Sequence, residues 1–440
     1  MRAYFRDHAF GNTDLSHLMD ALEDASGRDL ESWTKEWLQT SGVNTVRARF
    51  DTDADDVFTS FVVEQSAHPD FPTLRRHRIA IGLYDHVGSQ LVRRESIETD
   101  IEGAETELTE LVGMKRPDLV LLNDQDLTYA KIRLDPQSLA TVTHSVHRID
   151  DSLARALCWG AAWDMTRDAE MRASDFVTLV LAGVGTETDM TAVASLLRQA
   201  NTSIHLYAAP ENRAALAERW ESGLRSLLHV APSSSDHQLA LVRAYAAAAA
   251  SQQALDLIEG LLEGTATLHG LVVDADLRWT LVSTLARAGR YGDADIDAEL
   301  ARDKTISGQE NAAAARALRP DPQAKARAWH DAVVRDDVPN ETQRSVAASF
   351  QVHGQDELLL PYVDTYLEAA RRVWEEKGVQ RATNILIYLF PRALARPDVL
   401  AKVDAWLAEE SIHPAARRLV GEGRADIVRA LAAQAFDAEV

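Results

Sequence analysis

Leu119-Val120-Leu121-Leu122-Asn123-Asp124-Gln125-Asp126-Leu127-Thr128-Tyr129-Ala130-Lys131 carries the last apolar run of this 440-residue chain that reads as a strand. A few residues on, at Asp135-Pro136, the strand signal stops, and Ala-, Leu- and Arg-rich segments of helical period take over. That junction separates a small all-β sandwich over 44–135 from a large all-α domain over 136–440.

Working back from the junction, the alternations Val46/Ala48/Phe50, Val57/Thr59/Phe61/Val63 and Ile79/Ile81/Leu83 predict half-buried strands. Turn signals separate them at Asp53-Ala54-Asp55-Asp56, His68-Pro69-Asp70, Asp85-His86-Val87-Gly88 and Lys115-Arg116-Pro117-Asp118. Before them, residues 13–42 predict a helical hairpin. Leu15, Leu18, Met19 and Leu22 share one helix face with Gly27 past its end, and a second helix carries Leu30, Trp33 and Trp37 before Ser41-Gly42. Asp14 and Asp29 stand where N-caps are expected. Such a hairpin is too small to fold alone, which makes 1–43 a separate piece of the organisation.

Working forward, apolar stripes such as Leu153/Leu157/Ala161 and Leu277/Leu281/Leu285 recur with short connections, as in stacked helical hairpins. No repeat of fixed length is present, so an irregular superhelix of HEAT-like or armadillo-like type is expected rather than a regular array.

Bulk properties remove several classes of function. A net charge of −22 repels nucleic acid phosphates and anionic membranes. No stretch approaches a membrane-spanning length, and Met1-Arg2-Ala3-Tyr4-Phe5-Arg6-Asp7 has charges where a signal peptide needs its apolar core. The single cysteine, Cys158, excludes an intrachain disulfide and a cysteine-based zinc site, as expected for the cytoplasm.

Chemistry-bearing motifs are few. None of the fourteen histidines is followed by Glu, so H-E-x-x-H, which sets two zinc-binding histidines one helical turn apart around a general base, is absent. His144 and His147 are three apart, without a third ligand in view; His77 and His86 flank a strand, and positions at the sheet surface are expected for them. Asn123-Asp124-Gln125-Asp126 starts like a calcium loop but lacks its glycine and distal Glu, which leaves a capping turn. Gly183-Val184-Gly185 lacks the third glycine of a dinucleotide fingerprint, and neither a phosphate loop nor a Gly-x-Ser-x-Gly elbow occurs. Arg381 and Asn384 stand three apart at the edge of an apolar stripe, where an Arg fork beside an amide could meet a peptide carboxylate or carbonyl in a cavity wall.

The stretch quoted first resembles the end of the β-sandwich in aminopeptidase N of actinobacteria. The likeness continues through Ile149-Asp150-Asp151-Ser152-Leu153-Ala154-Arg155-Ala156-Leu157, Trp159-Gly160-Ala161-Ala162-Trp163-Asp164-Met165 and Gly270-Leu271-Val272-Val273-Asp274-Ala275-Asp276-Leu277-Arg278-Trp279. It reaches Glu299-Leu300-Ala301-Arg302-Asp303-Lys304-Thr305 and Pro414-Ala415-Ala416-Arg417-Arg418-Leu419, and so covers essentially the whole chain.

The resemblance implies the C-terminal half of a zinc aminopeptidase. The helical domain would cap the active-site chamber and limit peptide access, with zinc held by the full-length family and no cofactor in this chain. The hairpin with Phe10-Gly11-Asn12, Trp33 and Trp37 looks like the closing helices of a truncated thermolysin-like catalytic domain. Zinc ligands, general base and exopeptidase motif would all precede Met1, so no catalytic residue carries over. The implied partners are the missing N-terminal catalytic half and peptides, with Arg381 and Asn384 as candidates for the chamber wall. A stand-alone peptide-binding or scaffolding helical protein is the alternative. Leu15, Leu18, Trp33 and Trp37 are then expected to face the missing domain.

Overall fold

Alternating apolar residues resolve into two sheets in the computed structural model, which describes residues 1–439. Helices Arg2–Asp7, Leu15–Ser26 and Glu31–Leu38 come first. The strands follow as β1 (Thr45–Thr52), β2 (Phe58–Ser66), β3 (His77–Val87), β4 (Gln90–Ile101), β5 (Glu105–Glu107), β6 (Leu119–Leu122) and β7 (Lys131–Arg133). One sheet has the order β5-β2-β1-β7 and the other β4-β3-β6. β1 pairs antiparallel with β2 and parallel with β7, while β3 is antiparallel to both its neighbours. Two compact units result, one ending at Asp164 and the other beginning at Met165, with the helix Ser152–Arg167 carrying the division.

In the first unit Val46, Phe61, Val63, Ile79, Ile81, Leu83 and all of Leu119–Leu122 are buried, the positions that the alternation assigns to a core face. A register shift between Asp51 and Thr52 sets Phe58 opposite Thr52. Phe58 is therefore buried and Thr59 exposed, against the expected Val57/Thr59 line. The longest strand, β4, lacks an apolar pattern because it is a sheet edge whose middle, Arg93 to Glu95, faces water.

A second shift, between Leu83 and Tyr84, pairs Tyr84 with Arg93 across β3 and β4. Both side chains reach the same buried carboxylate: Tyr84 Oη donates to Asp124 Oδ1 at 2.5 Å, and Arg93 Nη1 to Asp124 Oδ2 at 2.7 Å. Gly82 makes room for it, since a Cβ there would stand 2.6 Å from Asp124 Cγ and 2.7 Å from Tyr84 Cε2. Gly82→Ala is expected to cost about 1–3 kcal/mol by overpacking, read as a lower denaturant midpoint with an unchanged slope.

Asp14 caps the helix Leu15–Ser26, accepting from Ser16 N and His17 N, and Gly27 ends it at φ 66°. The next helix begins one residue later than expected, with Leu30 in the cap position and Asp29 Oδ1 accepting from Glu31 N. Arg75 ties this hairpin to the sheets by donating to Glu36 O, Thr40 Oγ1 and Asn44 Oδ1 and lying over the Trp37 ring. Trp37 is thus half covered. Phe5, Phe10, Leu15, Trp33 and Leu38 remain exposed, and Met19 is the one buried apolar residue of the three helices.

The buried face of the helix Ser152–Arg167 is Ala154, Cys158, Ala161, Ala162 and Met165, while Leu153 is exposed. Trp159 is buried as well, and of the expected stripe Leu153/Leu157/Ala161 only Ala161 is fully buried, so the core face of this helix is turned away from Leu153.

In the second unit the helices Met190–Thr202, Asp236–Ala248, Ala275–Arg287, Ile306–Leu318, Asn340–Phe350 and Val379–Tyr388 pack each on the next. The intervening helices Arg213–Val230, Gln252–Glu263, Asp293–Arg302 and Pro322–Trp329 pack on this series and are linked to one another by side chains such as Arg327, which donates to Asp293. The series in direct succession is the inner layer of these stacked hairpins. Buried Ala246, Ala312, Ala315 and Ala347 keep its helices close.

Carbonyls orphaned at the C-terminal ends of the inner helices are taken by long side chains of a neighbouring hairpin. Arg287 donates to Ala247 O (2.7 Å) and Ala246 O (3.0 Å), Gln355 Nε2 to Leu318 O (2.9 Å) and Gln351 Nε2 to Leu389 O (3.1 Å). Lys325, fully buried, donates from Nζ to Ala317 O (2.8 Å) and Phe350 O (2.9 Å).

Burial lowers the Lys325 ammonium from 10.5 to about 8. Between those values the unfolded chain holds a proton that the folded chain has released, so folding stability rises with pH across that window. The gain is on the order of 3 kcal/mol. It should be missing from Lys325→Met when the two proteins are compared in denaturant at pH values spanning the window.

The superhelix closes on itself. The last helix, Pro414–Ala438, packs on Val379–Tyr388 and also on Ala173–Gly183 and the π-turn Ser203–Tyr207 at the start of the unit. Asp437 accepts from Ser174 N (3.2 Å), Ala209 N (2.9 Å) and Asn212 Nδ2 (3.1 Å), and Gln434 Nε2 donates to Leu206 O (2.8 Å).

Candidate functional site

Arg381 and Asn384 lie together on the inner helix Val379–Tyr388, both committed to protein partners. Arg381 Nη1 and Nη2 donate to Val338 O (2.5 Å) and Arg335 O (2.6 Å), and Nε is buried without an acceptor among the described residues. Asn384, 3% exposed, donates from Nδ2 to Gln343 Oε1 at 2.9 Å and accepts from Gln380 Nε2 at 3.2 Å. The pair thus fastens this helix to the 335–338 loop and to the preceding inner helix.

The histidines are dispersed. His144 is exposed on the helix Pro136–Ser145, while His147 belongs to the turn Val146–Arg148 that follows it. His86 Nδ1 bonds Asp118 Oδ2 at 2.9 Å near the sheet surface, as expected. His77 differs from its expected surface position: it is 3% exposed, with Nδ1 bonded to Thr128 Oγ1 at 2.8 Å and its ring edge-on to Trp37. Desolvation, with Arg75 adding to it, lowers the His77 imidazole to about 4.

Among the described residues no three His, Cys, Asp or Glu side chains converge on a point that could hold a metal ion, so the residues present do not fit a zinc site. Cys158 is fully buried, and desolvation pushes its thiol up, away from nucleophilic chemistry. Asn123-Asp124-Gln125-Asp126 is a turn: Asn123 (φ 57°) bonds Thr128 through its side chain, and Asp124 is the buried acceptor of Tyr84 and Arg93.

Hollows lie on both layers: one of about 470 Å³, lined by Leu262, Leu271, Tyr291 and Glu299, is on the side of the intervening helices, and two are on the inner series. A hollow of about 390 Å³ lies on the first two inner helices, with Ala194, Ala240 and Ala244 on its floor and Arg198 at its side. A second of about 320 Å³, lined by Trp279, Ser283 and Asn311, follows on the next two. Arg243 and Ala247 line both, so the two hollows adjoin. Arg243 pairs with Asp276 within the second. Such a surface offers backbone-sized room over alanine, with guanidinium donors along it, and suits an extended polypeptide better than a compact ligand. The helical spacing of Ala240, Ala244 and Ala247 was a readable sign of it, hidden inside an alanine run that carries no motif.

Residues 119–429 match the sequence family described as the ERAP1-like C-terminal domain. Over 445 aligned residues, taking in all of this chain, it is 49% identical to an aminopeptidase N of Streptomyces lividans, of which it covers 52%. The chain spans about half the length of that curated relative.

Proposed function

Because the chain belongs to the family of the ERAP1-like C-terminal domain, as the C-terminal region of an aminopeptidase N, we propose that its helical part caps a catalytic chamber supplied by another portion of a zinc aminopeptidase. In this reading residues 136–440 are the cap, 44–135 the sandwich and 1–43 the closing helices of the catalytic domain. The observation that carries it is the pair of adjoining hollows on the inner layer, a surface on which an entering peptide can lie. Arg381 and Asn384 then serve the chamber wall by fixing its last inner helix.

Exposed Phe5, Leu15, Trp33 and Leu38 are where we place the catalytic portion. Zinc, general base and specificity for the first residue belong to that portion. No described helix is long and apolar enough to cross a membrane.

Mixing this chain with a separately purified catalytic portion tests the proposal. Peptides of increasing length should be hydrolysed with a steeper length dependence by the pair than by the catalytic portion alone, and amide exchange in residues 2–38 should slow on mixing. A complex that forms and leaves the length profile unchanged would refute capping.

A further inference from the structure

His205, in the π-turn Ser203–Tyr207, and His353, just past the inner helix Asn340–Phe350, stack face to face with ring centroids 5.0 Å apart and planes within 8°. The two follow the first and the fifth of the six inner helices, and such π-turns occur often at functional positions. Neither ring has a hydrogen-bond partner among the described residues, and both are part-buried. Arg213, close enough for its charge to act on both imidazoles, uses only Nε, on Ala208 O at 3.1 Å. Its two terminal nitrogens are left over, and the helix Arg213–Val230 that it opens has no side-chain cap. The Asn212 amide is occupied by Asp437 instead. Arg287 acts on His205 from the other side while holding the Ala246 and Ala247 carbonyls.

Carboxylates are scarce here. Asp356 and Glu211 are the acids whose field reaches Arg213, and neither pairs with it; desolvation is the one influence on Arg287. The Asp437 carboxylate lies just before Arg213 in the fold but is spent on Ser174 N, Ala209 N and Asn212 Nδ2, which leaves Arg213 and the two histidines without a bonded carboxylate. Burial, with the fields of Arg287 and Arg213 adding to it, lowers His205 to about 4, and burial, with His205 and Arg213 adding to it, lowers His353 to about 3, so both imidazoles are neutral and can donate through N–H.

We propose that His205, His353 and Arg213, with Arg287 behind them, bind one oxyanion, a carboxylate or phosphate group, at the inner rim of the helical unit. Arg213 supplies the fork and each imidazole one N–H. The inference concerns the chain alone and stands whether or not it caps a peptidase.

Imidazole resonances of the purified chain, followed by NMR, test it. The probes are inorganic phosphate, an N-acetylated peptide with a free C-terminal carboxylate, and the same peptide amidated. Bound anion should shift both His205 and His353 resonances together and raise their titration midpoints, with one-to-one stoichiometry. Arg213→Gln should weaken binding roughly tenfold or more, while His205→Gln, folded by circular dichroism, weakens it and leaves Arg213 in place. Response to phosphate alone identifies a free anion as the ligand, and response to the free-acid but not the amidated peptide identifies a chain terminus; either outcome supports the site. No shift with phosphate or free acid, equal response to the amidated peptide, or a response that survives Arg213→Gln overturns it.

Discussion

Replacing Asp437 by alanine is expected to destabilise the helical unit by about 3–5 kcal/mol, because its buried carboxylate satisfies two backbone N–H groups and an amide at once. Ser174 N and Ala209 N stand at the start of the unit and Asp437 near its end, so the loss falls on closure of the superhelix. The expected signature is regional. Amide exchange should rise in 199–209 and along 425–438 ahead of the core around Tyr366 and Trp406, which are held by their own bonds to Leu386 O and Leu367 O. Asp437→Asn keeps one acceptor oxygen and should lose part of that stability. If the alanine protein unfolds at the wild-type denaturant concentration, the closing contact contributes nothing and the superhelix is held by its stacked hairpins alone.

Asp124→Ala should be nearly as damaging, again by about 3–5 kcal/mol, for a different reason. Its side chain is wholly inaccessible, and removing it strands the Arg93 guanidinium, which is only about one-third exposed, and the buried Tyr84 hydroxyl. Urea unfolding of Asp124→Ala, Arg93→Met and the double mutant separates the cost of an orphaned charge from the worth of the pair. The double mutant should recover part of what Asp124→Ala loses; equal loss in both would mean that Arg93 finds solvent unaided.

These two carboxylates mark the limits of what the amino-acid order discloses. Asp124 reads as one acid in a polar turn after a strand, and nothing local says that Gly82 and Arg93 from another hairpin close around it. Asp437 finds its partners more than two hundred residues away, beyond the reach of any periodicity. By contrast Ile79/Ile81/Leu83 and Leu277/Leu281/Leu285 are buried as their spacing requires, since one face of each element had no other place to go. β4 was invisible because an edge strand exposed to water needs no apolar alternation. His77 was misplaced because its burial depends on Trp37 and Arg75, which arrive from the helical hairpin. The hollows on the inner layer were concealed for a related reason: alanine at helical spacing reads the same whether it faces a neighbouring helix or an open surface.

What the chain lacks was plainer than what it has. A metallopeptidase of this class needs two histidines and a glutamate in one helical motif, and no histidine here precedes a glutamate. The most direct test is release of the chromophore from an amino-acid anilide by the purified chain with zinc added, with and without a chelator. No release above buffer is expected in either case; release that the chelator abolishes, and that persists through further purification, would place a metallopeptidase site in this chain.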